Sequence, residues 1–223
     1  MVISTVLFDL DGTIVDSSSG IRHCASAAMV EYGLVPLSDA QLRAFIGPPL
    51  RESFRGLGVP ETMLDELAHA YRHHYTEGGL LDFTVYGGIR DVLSAMRDRD
   101  VRLGVATSKP TRYARRVVAS ADLAHYFECV LGPENDDVAS SKAQVIEEVL
   151  DYMGVSDVDA VLMVGDREHD VRGARAVGTN FVGVAWGFGG VDELRDAGAQ
   201  IVVDTPNGIL DQLDHLQSVR IER

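Results

Sequence analysis

Short apolar, β-prone runs recur along this chain and alternate with longer stretches whose apolar residues fall at helical spacing. The runs are Ile3 to Phe8, Val101 to Ala106, Cys129 to Leu131, Ala160 to Val164, Phe181 to Ala185 and Ile201 to Val203. Their continuous hydrophobicity predicts strands buried on both faces. The helix-like segments between them are Gly88 to Arg97, Arg112 to Ala121, Ser141 to Tyr152 and Asp170 to Ala176. Strand and helix in alternation predict an α/β fold, a Rossmann-like parallel sheet covered by helices on both faces.

Residues 17–82 break this rhythm. Ile21, Ala25, Ala28, Met29 and Tyr32, then Met63, Leu64, Leu67 and Tyr71, keep helical spacing, and no strand pattern intervenes. The reading is an all-α cap domain at 17–82, inserted into a core made of 1–16 and 83–223, with the chain returning near Thr84 to Gly88. The tail after Asn207 fits a terminal helix on the sheet. A helical insert over the strand ends would act as a lid that excludes water.

Composition narrows the partners. The 223 residues are 46% hydrophobic and 24% charged, as in a globular protein with room for a proper core. A formal net charge of −14 argues against a phosphate-backbone binder, so no nucleic acid is expected. A small phosphorylated substrate stays compatible, because a metal and local cations can reverse the potential within one cleft. Cys24 and Cys129 are too far apart in sequence for a CxxC pair and too few for a zinc set. With no basic leader and no apolar run of roughly 18 residues, the expectation is a cytoplasmic protein without a membrane segment.

Open parallel sheets bind ligands at the carboxyl ends of their strands, which turns the strand ends into a search set. The first run ends in Asp9, Leu10, Asp11, Gly12 and Thr13. Such a pair of acids is either a surface turn or a site where a cation makes their proximity tolerable. The second core run ends in Thr107, Ser108, Lys109 and Pro110, whose hydroxyls and lysine could hold phosphate oxygens or form a solvated turn. Lys142, at the start of the helix before the fourth core run, competes with Lys109 for that duty. Asp166 and Asp170 stand four residues apart where a strand gives way to a helix. Together with Asp9 they could supply the hard oxygens that Mg²⁺ prefers, or they could simply cap that helix and line its first turn. Arg167 could pair with a neighbouring acid, and His169 reads as a rim residue.

Other features read more plainly. Asp16 suits a cap for the first helix of the insert. Gly47, Pro48, Pro49, Leu50 and Arg51 either form a specificity loop or a rigid turn between cap helices. His69, His73 and His74 lack the surroundings of an H-E-x-x-H site and read as cap surface. Gly187, Gly189 and Gly190 suggest a mobile loop by the cleft, without the Gly-Lys-Ser/Thr ending of a Walker loop.

"FDLDGT", "ATSKP", Lys142 and "VGDREHD" together resemble the four signature motifs of the haloacid dehalogenase-like hydrolases. "FIGPPLRESF", "GDREHDVRGARAVG" and "GVAWGFGG" resemble the phosphoglycolate phosphatase-like branch with a helical cap. The resemblance implies Asp9 as a nucleophile forming an aspartyl-phosphate and Asp11 as general acid and base. It implies Mg²⁺ held by the Asp9 carboxylate, the Asp11 carbonyl and Asp166, with Asp170 directly or through water. Thr107 and Lys142 would hold the phosphoryl group, and Ser108, Gly47, Pro48 and Arg51 would complete the substrate contacts. The substrate implied is a small phosphorylated metabolite, phosphoglycolate or a nucleoside monophosphate, handled by a monomer or homodimer. A sugar phosphomutase of β-phosphoglucomutase type shares the motifs, and a non-catalytic phosphate-sensing domain is the other alternative. Related dehalogenases lack the second acid of the first motif, so Asp11 argues against that chemistry.

Overall fold

In the computed structural model, which describes residues 2–134 and 140–218, the first apolar run becomes the fully buried strand β1, Thr5–Phe8. The elements that follow in chain order are β2 Val15–Asp16, α1 Ser18–Glu31, α2 Asp39–Phe45, α3 Leu50–Gly56, α4 Leu64–Glu77 and β3 Thr84–Val85. Next come α5 Ile89–Arg97, β4 Arg102–Ala106, α6 Thr111–Ser120, β5 Cys129–Leu131, α7 Lys142–Met153 and β6 Val161–Gly165. The last are α8 Glu168–Val177, β7 Asn180–Val184, α9 Gly190–Asp196, β8 Val202–Val203 and α10 Pro206–Ser218.

The main sheet is parallel, in the order β5-β4-β1-β6-β7-β8, and the fold is α/β and Rossmann-like. Helix α5 joins the core through one apolar stripe: Ile89, Val92, Leu93 and Met96 are its buried residues, at helical intervals. Val145, Ile146 and Val149 of α7 and Ala174 of α8 pack with Leu7 and Met163 of the sheet. Burying such side chains contributes roughly 1.5–3 kcal/mol each before entropy opposes it. Cys24 and Cys129 are buried and unbridged, and burial pushes both thiols up to about 11.

The chain divides into two compact units, Met1–Val15 with Val85–Arg223, and Asp16–Thr84. The second is helical and packs Phe45, Phe54, Tyr71 and Tyr75 together; Phe45 meets Phe54 edge-on at 5.1 Å between centroids. Asp16 Oδ1 accepts the Ser18 N–H at 2.9 Å, at the entrance to α1. Among the described residues, no helix is long and apolar enough to cross a membrane.

Four elements depart from the sequence expectation. The two-residue strands β2 and β3 pair as a separate small sheet, too short for alternation to register. Helix α9 begins at Gly190, one of the glycines expected to lie in a loop. Helix α8 starts at Glu168, because Asp170 lies inside its first turn and its Oδ2 accepts the N–H groups of Asp166 and Arg167, both at 3.1 Å.

Candidate active site

Register brings three strand ends level. Phe8 aligns with Val105 of β4 and with Val164 of β6, so Asp9, Thr107 and Asp166 leave the sheet from three adjacent strands. The Asp9 amide keeps the ladder going by donating to the Val164 carbonyl at 2.9 Å. Beyond it the chain must turn sharply. Gly12 adopts φ +90°, and a Cβ there would lie 2.2 Å from the Asp166 carboxylate, so both the backbone angle and the close approach demand glycine. Thr13, fully buried, donates its hydroxyl to Asp166 Oδ1 at 3.2 Å.

Lys142 reaches this point from the start of α7, whose entry is fixed by a capping box: Ser141 N donates to Gln144 Oε1 at 2.9 Å, and Gln144 N to Ser141 Oγ at 3.2 Å. The buried ammonium lies 2.7 Å from Asp9 Oδ1 and 2.7 Å from Asp170 Oδ1. Burial works against its charge, but Asp170 and Asp9 more than reverse that, and Lys142 holds its proton more firmly than a free lysine. Burial foremost, joined by Asp170 and Asp11, pushes Asp9 up to about 6 against the downward pull of Lys142. Asp166 is raised well above the usual carboxylate range by burial and then by Asp170 and Asp9, against the Phe188 N–H.

Asp9, Asp166 and Asp170 each present a carboxylate oxygen within 4.8 Å of the others, all three buried. One lysine does not balance three acids, and uncompensated buried charge is costly. Hard, closely spaced oxygens with excess negative charge match a divalent cation of the magnesium type.

Asp11 has a different partner. Lys109 Nζ lies 2.6 Å from its Oδ2 and 2.8 Å from its Oδ1, a largely buried pair. The two lysines that compete in the sequence thus sit on different acids. Thr107, 1% exposed, accepts the Lys109 N–H on Oγ1 at 3.2 Å and pins this turn, while Ser108 is exposed.

The remaining sequence candidates lie in the helical unit. Gly47 has φ +115° and Pro48 is half-buried. Arg51, on α3, pairs with Asp65 and stands 3.5 Å from Glu61. His69 and His73 are exposed on α4, and His74 Nε2 lies 3.2 Å from Glu31.

Several contacts at the site were invisible to sequence reasoning. The Phe188 N–H donates to Asp166 Oδ2 at 2.7 Å, and Trp186 Nε1 donates to the Thr13 carbonyl at 3.2 Å. Glu193 Oε1 accepts from Arg167 Nε at 2.7 Å and from the Glu168 N–H at 2.9 Å. The glycines of "GVAWGFGG" read as a loop by the cleft; the structure shows Gly187 and Gly189 pressed against Asp166.

A family model described as "Haloacid dehalogenase-like hydrolase" matches residues 6–184. The chain belongs to the haloacid dehalogenase-like hydrolases. It is 37% identical over 191 residues to a 5'-nucleotidase of Pseudomonas aeruginosa, covering 85% of this chain and 86% of the relative. It is also 36% identical over 198 residues to tyrosine-protein kinase PtkA of Mycobacterium tuberculosis, covering 88% of this chain and 67% of that one. The crystal structure of a "predicted phosphatase" from Clostridium acetobutylicum superposes with a TM-score of 0.89 at 32% identity, covering 96% of this chain and 100% of that chain. These matches extend over nearly the whole hydrolase fold, with the acid cluster at its strand ends.

Proposed function

We propose that this protein is a Mg²⁺-dependent phosphomonoesterase that hydrolyses a small phosphorylated metabolite through an aspartyl-phosphate on Asp9. The observation that carries the reading is the convergence of Asp9, Asp166 and Asp170 on one buried point with a single lysine among them. Asp9, the Asp11 carbonyl and Asp166 would hold the ion; Asp170 would act through water, since its Oδ1 faces Lys142 and its Oδ2 takes two backbone N–H groups. Bound there, Mg²⁺ supplies positive charge against the phosphoryl oxygens.

The chain's own groups divide the rest of the work. One Asp9 oxygen attacks phosphorus as the bond to the leaving oxygen breaks, and Asp11 gives that oxygen a proton. Asp11 then takes a proton from water, which attacks the acyl-phosphate, releases phosphate and regenerates the Asp9 carboxylate. An ammonium has three donors, and Lys142 directs two at Asp9 and Asp170, leaving a third for a phosphoryl oxygen beside Thr107. Lys109 engages both Asp11 oxygens at rest, so that ion pair opens before Asp11 lends its proton. Positioning and charge neutralisation of this kind carry most of phosphoryl-transfer catalysis.

The likeness to a 5'-nucleotidase supports a nucleoside monophosphate as substrate, beside the phosphoglycolate that the motif resemblance suggests. Two buried, unbridged cysteines support a reducing, cytoplasmic setting. The test is a panel of nucleoside monophosphates, phosphoglycolate and sugar phosphates, assayed with Mg²⁺ and with a chelator. Expected is inorganic phosphate released only with the metal. Transfer between positions of a sugar without phosphate release would indicate a mutase, and no turnover of any ester would indicate a phosphate sensor.

A further inference from the structure

Asp166 is fully buried, and two hydrogen bonds reach its carboxylate from distant parts of the chain: the Thr13 hydroxyl on Oδ1 and the Phe188 N–H on Oδ2. The loop after β7 is pressed against this residue. A Cβ at Gly187 would lie 2.3 Å from Asp166 Cβ, and one at Gly189 would lie 2.4 Å from the Asp166 carbonyl oxygen. Trp186 closes the arrangement, because its indole N–H donates to the carbonyl of Thr13, the residue whose hydroxyl holds Asp166. Its ring is steadied edge-on against Tyr86, 6.3 Å between centroids.

We propose that Trp186 and the 187–189 backbone form a strap that fixes the Asp166 carboxylate in advance for a divalent cation, with Trp186 as a positioning residue that acts through Thr13. The proposal rests on the metal reading above and adds residues that touch neither ion nor phosphate. A carboxylate held from both oxygens loses little further freedom when it ligates, and partners behind metal ligands typically account for about 10–100-fold in affinity. Each Asp166 oxygen accepts one of these bonds and keeps acceptor capacity for a cation. The strap therefore acts on metal affinity, and the phosphate-holding groups Lys142 and Thr107 are left as they are.

The experiment is calorimetric titration of Mg²⁺ into the substrate-free full chain, as wild type, Trp186→Phe and Gly187→Ala, with thermal melts of each metal-free protein. Trp186→Phe keeps an aromatic ring and loses the donor; Mg²⁺ affinity should fall by roughly 10-fold, while kcat at saturating Mg²⁺ stays near wild type. Gly187→Ala should weaken Mg²⁺ more, since its methyl group would meet Asp166. Trp186 is the only tryptophan in the sequence, so wild-type indole fluorescence should change on metal addition. Wild-type Mg²⁺ affinity in Trp186→Phe, with or without a lowered melting temperature, would overturn the strap and leave the metal reading standing. Failure of the wild type to bind Mg²⁺ would overturn both.

Discussion

Arg51, Arg55, Glu61 and Asp65 in the helical unit, and Asp9, Asp166, Asp170 and Lys142 in the sheet unit, are two clusters of four charges built on opposite terms. The first has two cations and two anions, with side chains 42–77% exposed. Arg55 grips Glu61 with two donors, at 3.0 and 2.8 Å, which holds the Glu61 carboxyl below its ordinary range. The second has three anions to one cation, and the side chains in its lysine pairs are no more than 10% exposed. Water screens the balanced pair, so it adds little to stability. The unbalanced one is largely withdrawn from solvent, so screening is weak and burial instead raises Asp9 and Asp166. The contrast teaches that a site is marked by charge the fold leaves uncompensated where solvent cannot help, not by the number of its ion pairs.

Removing the buried cation should break the contrast most sharply. Lys142→Met leaves Asp9 and Asp170 without their lysine, and denaturant melts should show a loss of about 3–5 kcal/mol. Turnover should fall by roughly 10²–10³-fold through the lost phosphate contact. Lys109→Met should reduce turnover less; the reverse ranking would mean that the phosphoryl group is held by Lys109.

Acidity gives a subtler test. Asp9 titrates at about 6 in the fold, above the ordinary 3.8. The folded chain thus keeps a proton that the unfolded chain has released, and the stability this contributes is fully present below the unfolded value and lost as pH rises through the folded one. Above that window Mg²⁺ should take the proton's place. The gain in melting temperature on adding Mg²⁺ should therefore be larger at about pH 7.5 than at about pH 5. An equal gain at both would separate Asp9 from the metal. The smallest effect belongs to the exposed cluster: Glu61→Gln should leave both melting temperature and kcat/KM within experimental scatter, and a clear loss would show that the charges of the helical unit matter beyond their mutual pairing.

Much of this was open to reading in the residues. The parallel sheet could be read from apolar runs too continuous for one-sided strands, whereas its strand order could not; the paired acids after Phe8 and Val164 stood out as candidates, with a turn or a helix cap as the competing readings. Lys142 was visible as a lysine at the start of the helix before the Asp166 strand. Its choice of Asp9 and Asp170, and that of Lys109 for Asp11, was not, because two nearby lysines differ only in where tertiary packing delivers their ammonium groups. Arg51 showed the same limit, since its partners Asp65 and Glu61 come from a neighbouring helix and turn. Trp186 and Glu193 carried no chemical signature at all; each matters through a hydrogen bond to residues far away in sequence.

The most direct measurement is to trap the acyl-phosphate. Asp11→Asn keeps the Asp9 nucleophile and slows the water step, so borohydride added during reaction with a phosphoester should reduce residue 9 to the alcohol, seen by mass spectrometry of its peptide. The modification should appear only with substrate and Mg²⁺ present, and never in Asp9→Asn. An unmodified Asp9 in a variant that still releases the leaving group, or a phosphorylated residue elsewhere, would contradict catalysis through Asp9.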